Sequence, residues 1–137
     1  MRSRLAIALT AAVGVLMSVP LAAHHTGSTL YGDKIVTVKG TVTSWFWSNP
    51  HCLLRFDVKG DDGQVVSWIA EAQAPNTIYL EGYRAKSFKP GDEVTVTLRP
   101  VASGQPYAQL VQTVLADGTK LGNPPGGGTR GRGAAAP

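Results

Sequence analysis

The histidines of this chain have the widest chemical scope, and they are unevenly placed. There are three, and two of them are adjacent, His24-His25. They follow an apolar stretch, Leu5 to Val19, that is preceded by Arg2 and Arg4 and closed by Pro20-Leu21-Ala22-Ala23. A basic start, an apolar middle and a small-residue end form the pattern of a secretory signal, so residues 1–23 are expected to be removed on export. Cleavage after Ala23 makes His24 the first residue of the mature protein. A terminal histidine offers both its α-amine and its imidazole to a metal ion, and nitrogen donors of this kind favour Cu(II) among the first-row divalent ions. Cleavage one residue earlier leaves Ala-His-His, which also surrounds Cu(II) with nitrogen. The plainer alternative is a polar terminus in which two histidines are neighbours by chance.

His51, the third histidine, lies in Trp45-Phe46-Trp47-Ser48-Asn49-Pro50-His51. Asn-Pro marks a turn, and a histidine there either bonds the turn backbone or meets the amino-terminal arm to complete a three-nitrogen site. Such a site would suit copper, or zinc with an open position. Cys52 is the only cysteine, so it has no partner for an internal disulfide, and it reads first as a small buried apolar residue. As the strand neighbour of His51 it points to the opposite face and is a poor co-ligand. Trp45 and Trp47 follow the phase of the outward threonines if the strand is unbroken, and would then offer an aromatic surface to an organic ligand or a protein. A bulge near Ser44 would return one or both to the core. Asn49, Trp68 and Glu71 complete the surface a ligand would meet. Glu71 itself reads first as a partner for Arg55 or Arg84, with metal ligand or base as its other roles.

The elements that must hold these residues follow from alternation and turn chemistry. Strands are expected over about 34–47, 51–59, 64–71, 93–99 and 107–115. Val36, Val38, Gly40 and Val42 share one face of the first, and Val94, Val96 and Leu98 share one face of the fourth. Gly60-Asp61-Asp62-Gly63 supplies a hairpin turn, and Lys89-Pro90-Gly91-Asp92 a second turn. Between the third and fourth strands, proline at 75 and glycine at 82 bracket a short helix. The order β-β-β-α-β-β, with a long first strand bent at Gly40, is that of a mainly β, five-stranded OB-like barrel. A five-stranded sandwich and an SH3-like barrel lack the intervening helix.

The 137 residues are 43% hydrophobic and 16% charged, which suits a single domain. The net charge of +4 is carried by the ends: between His24 and Thr119 lie eight Lys or Arg against all nine acidic residues. A nucleic-acid partner is therefore excluded, because it would call for positive charge on the folded part. Residues 24–33 read as an arm, 34–121 as the barrel, and 122–137 as a Gly/Pro/Arg tail with too little apolar surface to order itself. Nothing in the sequence supports catalysis. The acids sit in turns rather than as the facing pair a glycosidase needs, and no nucleophile or phosphate-loop motif is present.

The order Gly40-Thr41-Val42, Asn49-Pro50-His51, Trp68-Ile69-Ala70-Glu71, Pro75-Asn76 and Lys89-Pro90-Gly91-Asp92, after His24-His25, resembles a family of small exported bacterial proteins classed as a domain of unknown function. Thr26 stands where that family usually has serine. The resemblance implies a periplasmic β-barrel and no particular activity, and it groups His24, His25, His51, Trp68 and Glu71 as one site. The expectation is thus a non-enzymatic periplasmic binding protein, with no membrane span once the signal is cleaved. It would take Cu(II) or another divalent metal through His24, His25 and His51. The alternative is a module for a small organic ligand or a periplasmic protein partner at Trp45 and Trp47.

Overall fold

The computed structural model describes residues 30–123. The expected signal segment, His24, His25 and most of the tail lie outside the described residues. Six strands and one short helical segment follow in order: β1 (Val36–Phe46), β2 (Cys52–Lys59), β3 (Val65–Ala72), α1 (Pro75–Ile78) running into a 3-10 turn (Tyr79–Glu81), β4 (Glu93–Pro100), β5 (Tyr107–Leu115) and β6 (Lys120–Gly122). The strand order is β3-β2-β1-β4-β5-β6, and a parallel β3–β5 pairing closes the first five into a barrel. This is the five-stranded OB-like arrangement that the sequence predicts, with β6 added on the edge of β5. Among the described residues no helix is long and apolar enough to cross a membrane.

The long first strand belongs to both sides of the barrel. Its first half, Val36 to Thr41, pairs with β4, and its second half, Thr41 to Phe46, pairs with β2. The changeover falls at Gly40, where an added Cβ would stand 2.6 Å from the Asp57 carbonyl oxygen and 2.7 Å from Phe56 Cδ2. Only glycine lets the two strands approach so closely. Alternation then builds the core. Val42, Leu54, Phe56, Ala70, Val96 and Leu98 are essentially inaccessible, and α1 closes the barrel with Ile78. Tyr83, also buried, donates to the Leu121 carbonyl at 3.0 Å and contacts the Thr113 hydroxyl, which ties β6 to the core.

Of the two orientations open to Trp45 and Trp47, the structure takes the one set by a bulge beside Ser44. The β1–β2 register shifts between Val42 and Ser44, and this bulge changes the phase of everything beyond it. Trp45 and Trp47 therefore pack against the core instead of facing out with the threonines. Trp45 lies edge-on to Phe88 at 5.1 Å and donates its indole N–H to the Arg84 carbonyl at 3.0 Å. The exposed aromatic of the trio is Phe46, beneath the Arg55 guanidinium.

Candidate functional site

Closing the barrel brings the polar residues of three strand ends together. His51 enters β2 directly after the cis Asn49–Pro50 bond, and the Cys52 amide bonds the Gln73 carbonyl, holding His51 beside the end of β3. Leu53 and Glu71 are register partners, so His51, two residues before Leu53, shares the outer face with Glu71. The parallel pairing of Ile69–Glu71 with Tyr107–Gln109 brings Tyr107 alongside from β5. Tyr31 joins from the arm, which is pinned to β4 by a Tyr31–Val101 bridge and a Gly32 amide bond to the Pro100 carbonyl.

Glu71 is the hub. His51 Nδ1 contacts Glu71 Oε1 at 2.5 Å, and the Tyr107 hydroxyl donates to Oε2. Burial raises the Tyr107 phenol well above its ordinary range, and the hydrogen bond and charge of Glu71 raise it further. Tyr31 is raised for the same reasons, burial first and then the charge of Glu71. Both phenols thus stay protonated, and Tyr107 donates to the carboxylate. Nδ1 faces the carboxylate, Nε2 is the ring nitrogen turned away from it, and the His51 side chain is 54% exposed.

The structure joins two of the expected site residues, His51 and Glu71, and separates others. Trp68 packs against the core opposite Phe56 in register. It lies three residues from Glu71, and on a strand an odd spacing puts two side chains on opposite faces. Trp-x-x-Glu is therefore one core residue and one surface residue. Asn49 is exposed in the turn ahead of His51. Glu71 pairs with neither Arg55 nor Arg84. Arg55 covers Phe46, while Arg84 stacks 3.7 Å from the Tyr79 ring centre and donates to the Tyr79 and Tyr83 carbonyls. Cys52 is fully buried, with its thiol raised by burial, as expected of a core residue.

Among the described residues no group of three or more His, Cys, Asp or Glu side chains is placed to hold a metal ion. His51 supplies one open nitrogen. Any further ligands must come from elsewhere, and His24 and His25 lie outside the described residues. Tyr31 and Tyr107 were missed from sequence because their role depends on barrel closure. Tyr107 is 36 residues from Glu71 along the chain.

Residues 13–109 match the family described as "Family of unknown function (DUF6152)". The match spans well over half of the chain, and the chain belongs to that family. No curated protein and no solved structure matches it.

Proposed function

We propose that this member of the family is an exported periplasmic binding protein without catalytic activity. In this reading its barrel supplies part of a site for Cu(II) or another divalent ion. His51 Nε2 is one ligand, and His24 and His25 at the processed amino terminus provide the others. The observation that carries the reading is the contact of His51 Nδ1 with Glu71 Oε1. Histidines that bind metals commonly donate their other ring N–H to a carboxylate, which fixes the tautomer and raises ligand basicity. Glu71 would then orient the ligand, and Tyr107 would orient Glu71 in turn.

The described end of the arm lies beside the His51–Glu71 pair. Tyr31 lines the cavity beside Glu71, and six peptide steps back to His25 span at most ~22 Å. Location supports the reading as well, since OB-type barrels bind ligands around the loops between strands one and two and between strands four and five. His51 ends the first of these loops, and Tyr107 follows the second.

Mature protein purified from periplasm tests this in one preparation. Mass spectrometry is expected to give His24 as the first residue, and titration is expected to give one Cu(II) held more tightly than by a free His-His peptide. Adding one alanine before His24 should remove that advantage. Affinity equal to that of the free peptide would overturn the reading.

A further inference from the structure

A cavity of about 390 Å³ opens beside the His51–Glu71 pair, and strand topology explains it. β3 and β6 share one edge of β5, but β3 leaves after Gln109 and β6 joins only at Gln112. The gap lies against Leu110 and Val111, with the α1 segment over it. Ile78 and Tyr83 give it an apolar lining, and its size falls within the range of small-molecule sites.

Beyond the His51–Glu71 pair, two charges face this cavity without neutralising each other. The Glu81 carboxyl is raised by burial, and its hydrogen-bond partner is the neutral Asn123 amide at 3.3 Å. Arg99 reaches the cavity from β4. The one ion pair among the described residues is His51–Glu71, so neither Arg99 nor Glu81 has an opposite charge within 4.0 Å among them. Gln109 is the register partner of both Arg99 and Glu71. Arg99 and Glu71 are therefore two strands apart, about 10 Å between backbones.

We propose that this cavity binds a small zwitterion whose carboxylate meets Arg99 and whose ammonium meets Glu81, with an apolar chain between them over Ile78 and Tyr83. The apolar lining from Ile78 and Tyr83 calls for an ω-amino acid or a short peptide, which carries an apolar chain between its charged ends. Guanidinium–carboxylate and carboxylate–ammonium contacts are charge-assisted, and the half-buried position of Glu81 strengthens the second. His51 and Glu71 line the same cavity, but neither Arg99 nor Glu81 is assigned to the metal, so titration in a chelator separates the two readings.

Isothermal titration of the mature protein in low salt with a chelator tests the proposal, using 4-aminobutanoate, 6-aminohexanoate and diglycine as probes. Hexanoate and hexylamine serve as single-charge controls. At least one zwitterion is expected to bind with Kd below about 1 mM, and about tenfold or more tighter than both controls. Arg99→Gln and Glu81→Gln should each weaken it by about tenfold or more, and Lys39→Gln on the far side of β1 should not. Arg99→Lys, which keeps the charge and loses the fork, should fall between. Thermal melts of each variant separate lost binding from lost folding. No binding by any probe, controls that bind as tightly, or charge variants that bind like wild type would each overturn it. Binding that persists in chelator while copper binding fails would retire the metal reading alone.

Discussion

Gly40→Ala tests the packing logic of the barrel, because a single methyl group is placed where two strands cross. The new Cβ would sit 2.6 Å from the Asp57 carbonyl oxygen and 2.7 Å from Phe56 Cδ2. Neither neighbour can step aside easily. Asp57 is backbone in register with Thr41, and Phe56 is fully buried. Overpacking of this kind costs about 1–3 kcal/mol. Gly40 does not have a positive φ, so alanine also gains about 0.4–1 kcal/mol by restricting the unfolded chain. The clash wins, leaving a net loss of about 1–2 kcal/mol. For a domain of this size that lowers Tm by about 5–15 °C. Gly32→Ala is the matched control. Its nearest neighbour is the Pro100 carbonyl oxygen at 3.5 Å, an ordinary contact, so the chain-entropy gain acts alone and Tm should hold or rise. Circular dichroism melts and urea titrations of the three proteins give the comparison. Gly40→Ala melting at or above wild type would refute the argument that the first strand crosses too tightly for a side chain.

Tyr83→Phe removes the hydroxyl bond to the Leu121 carbonyl, and should cost about 0.5–1.5 kcal/mol. Amide exchange should quicken first in Lys120–Gly122, and unchanged exchange there would contradict the anchoring role. Cys52, fully buried with a raised thiol pKa, should react with iodoacetamide about a hundredfold more slowly in the folded protein than in guanidinium chloride. Equal rates would place the thiol at the surface. Burial holds the Glu81 carboxyl above its ordinary 4.5. The folded state therefore keeps a proton that the unfolded chain releases, and this contribution to stability, present at low pH, is lost as pH rises through the folded pKa. Glu81→Gln cannot ionise, so its urea stability relative to wild type should improve from about pH 4 toward pH 7, whereas a pH-independent difference would contradict the burial.

Much of the barrel was legible because each strand has one wet face. Val94, Val96 and Leu98 alternate with Thr95 and Thr97, and these positions are buried and half-buried respectively. Pro75 and Gly82 bracketed the helical segment for equally local reasons, a fixed φ at its start and a left-handed residue at its end. The failures are non-local. Lys120–Gly122 is too short to show a period, and it becomes a strand only because Tyr83 and the free edge of β5 receive it. The phase of Trp45 and Trp47 turns on a backbone bulge beside Ser44, which alternation leaves as one of two choices. Glu71 was visible as a carboxylate of interest, but its partners come from a turn 20 residues earlier and a strand 36 residues later. Alternation had already implied that Trp68 and Glu71 face opposite ways, and grouping them by motif overrode that signal.

The central claim is that Glu71 holds His51 so that Nε2 completes a metal site begun by the amino terminus. Cu(II) affinity of the periplasmic protein, compared with Glu71→Gln and His51→Ala, tests it most directly. Losing an orienting carboxylate should weaken binding about ten- to a hundredfold, or about 1.4–2.8 kcal/mol. Losing the imidazole should reduce it to the level of a free His-His peptide. If all three proteins hold copper equally well, the barrel contributes no ligand and the account is wrong.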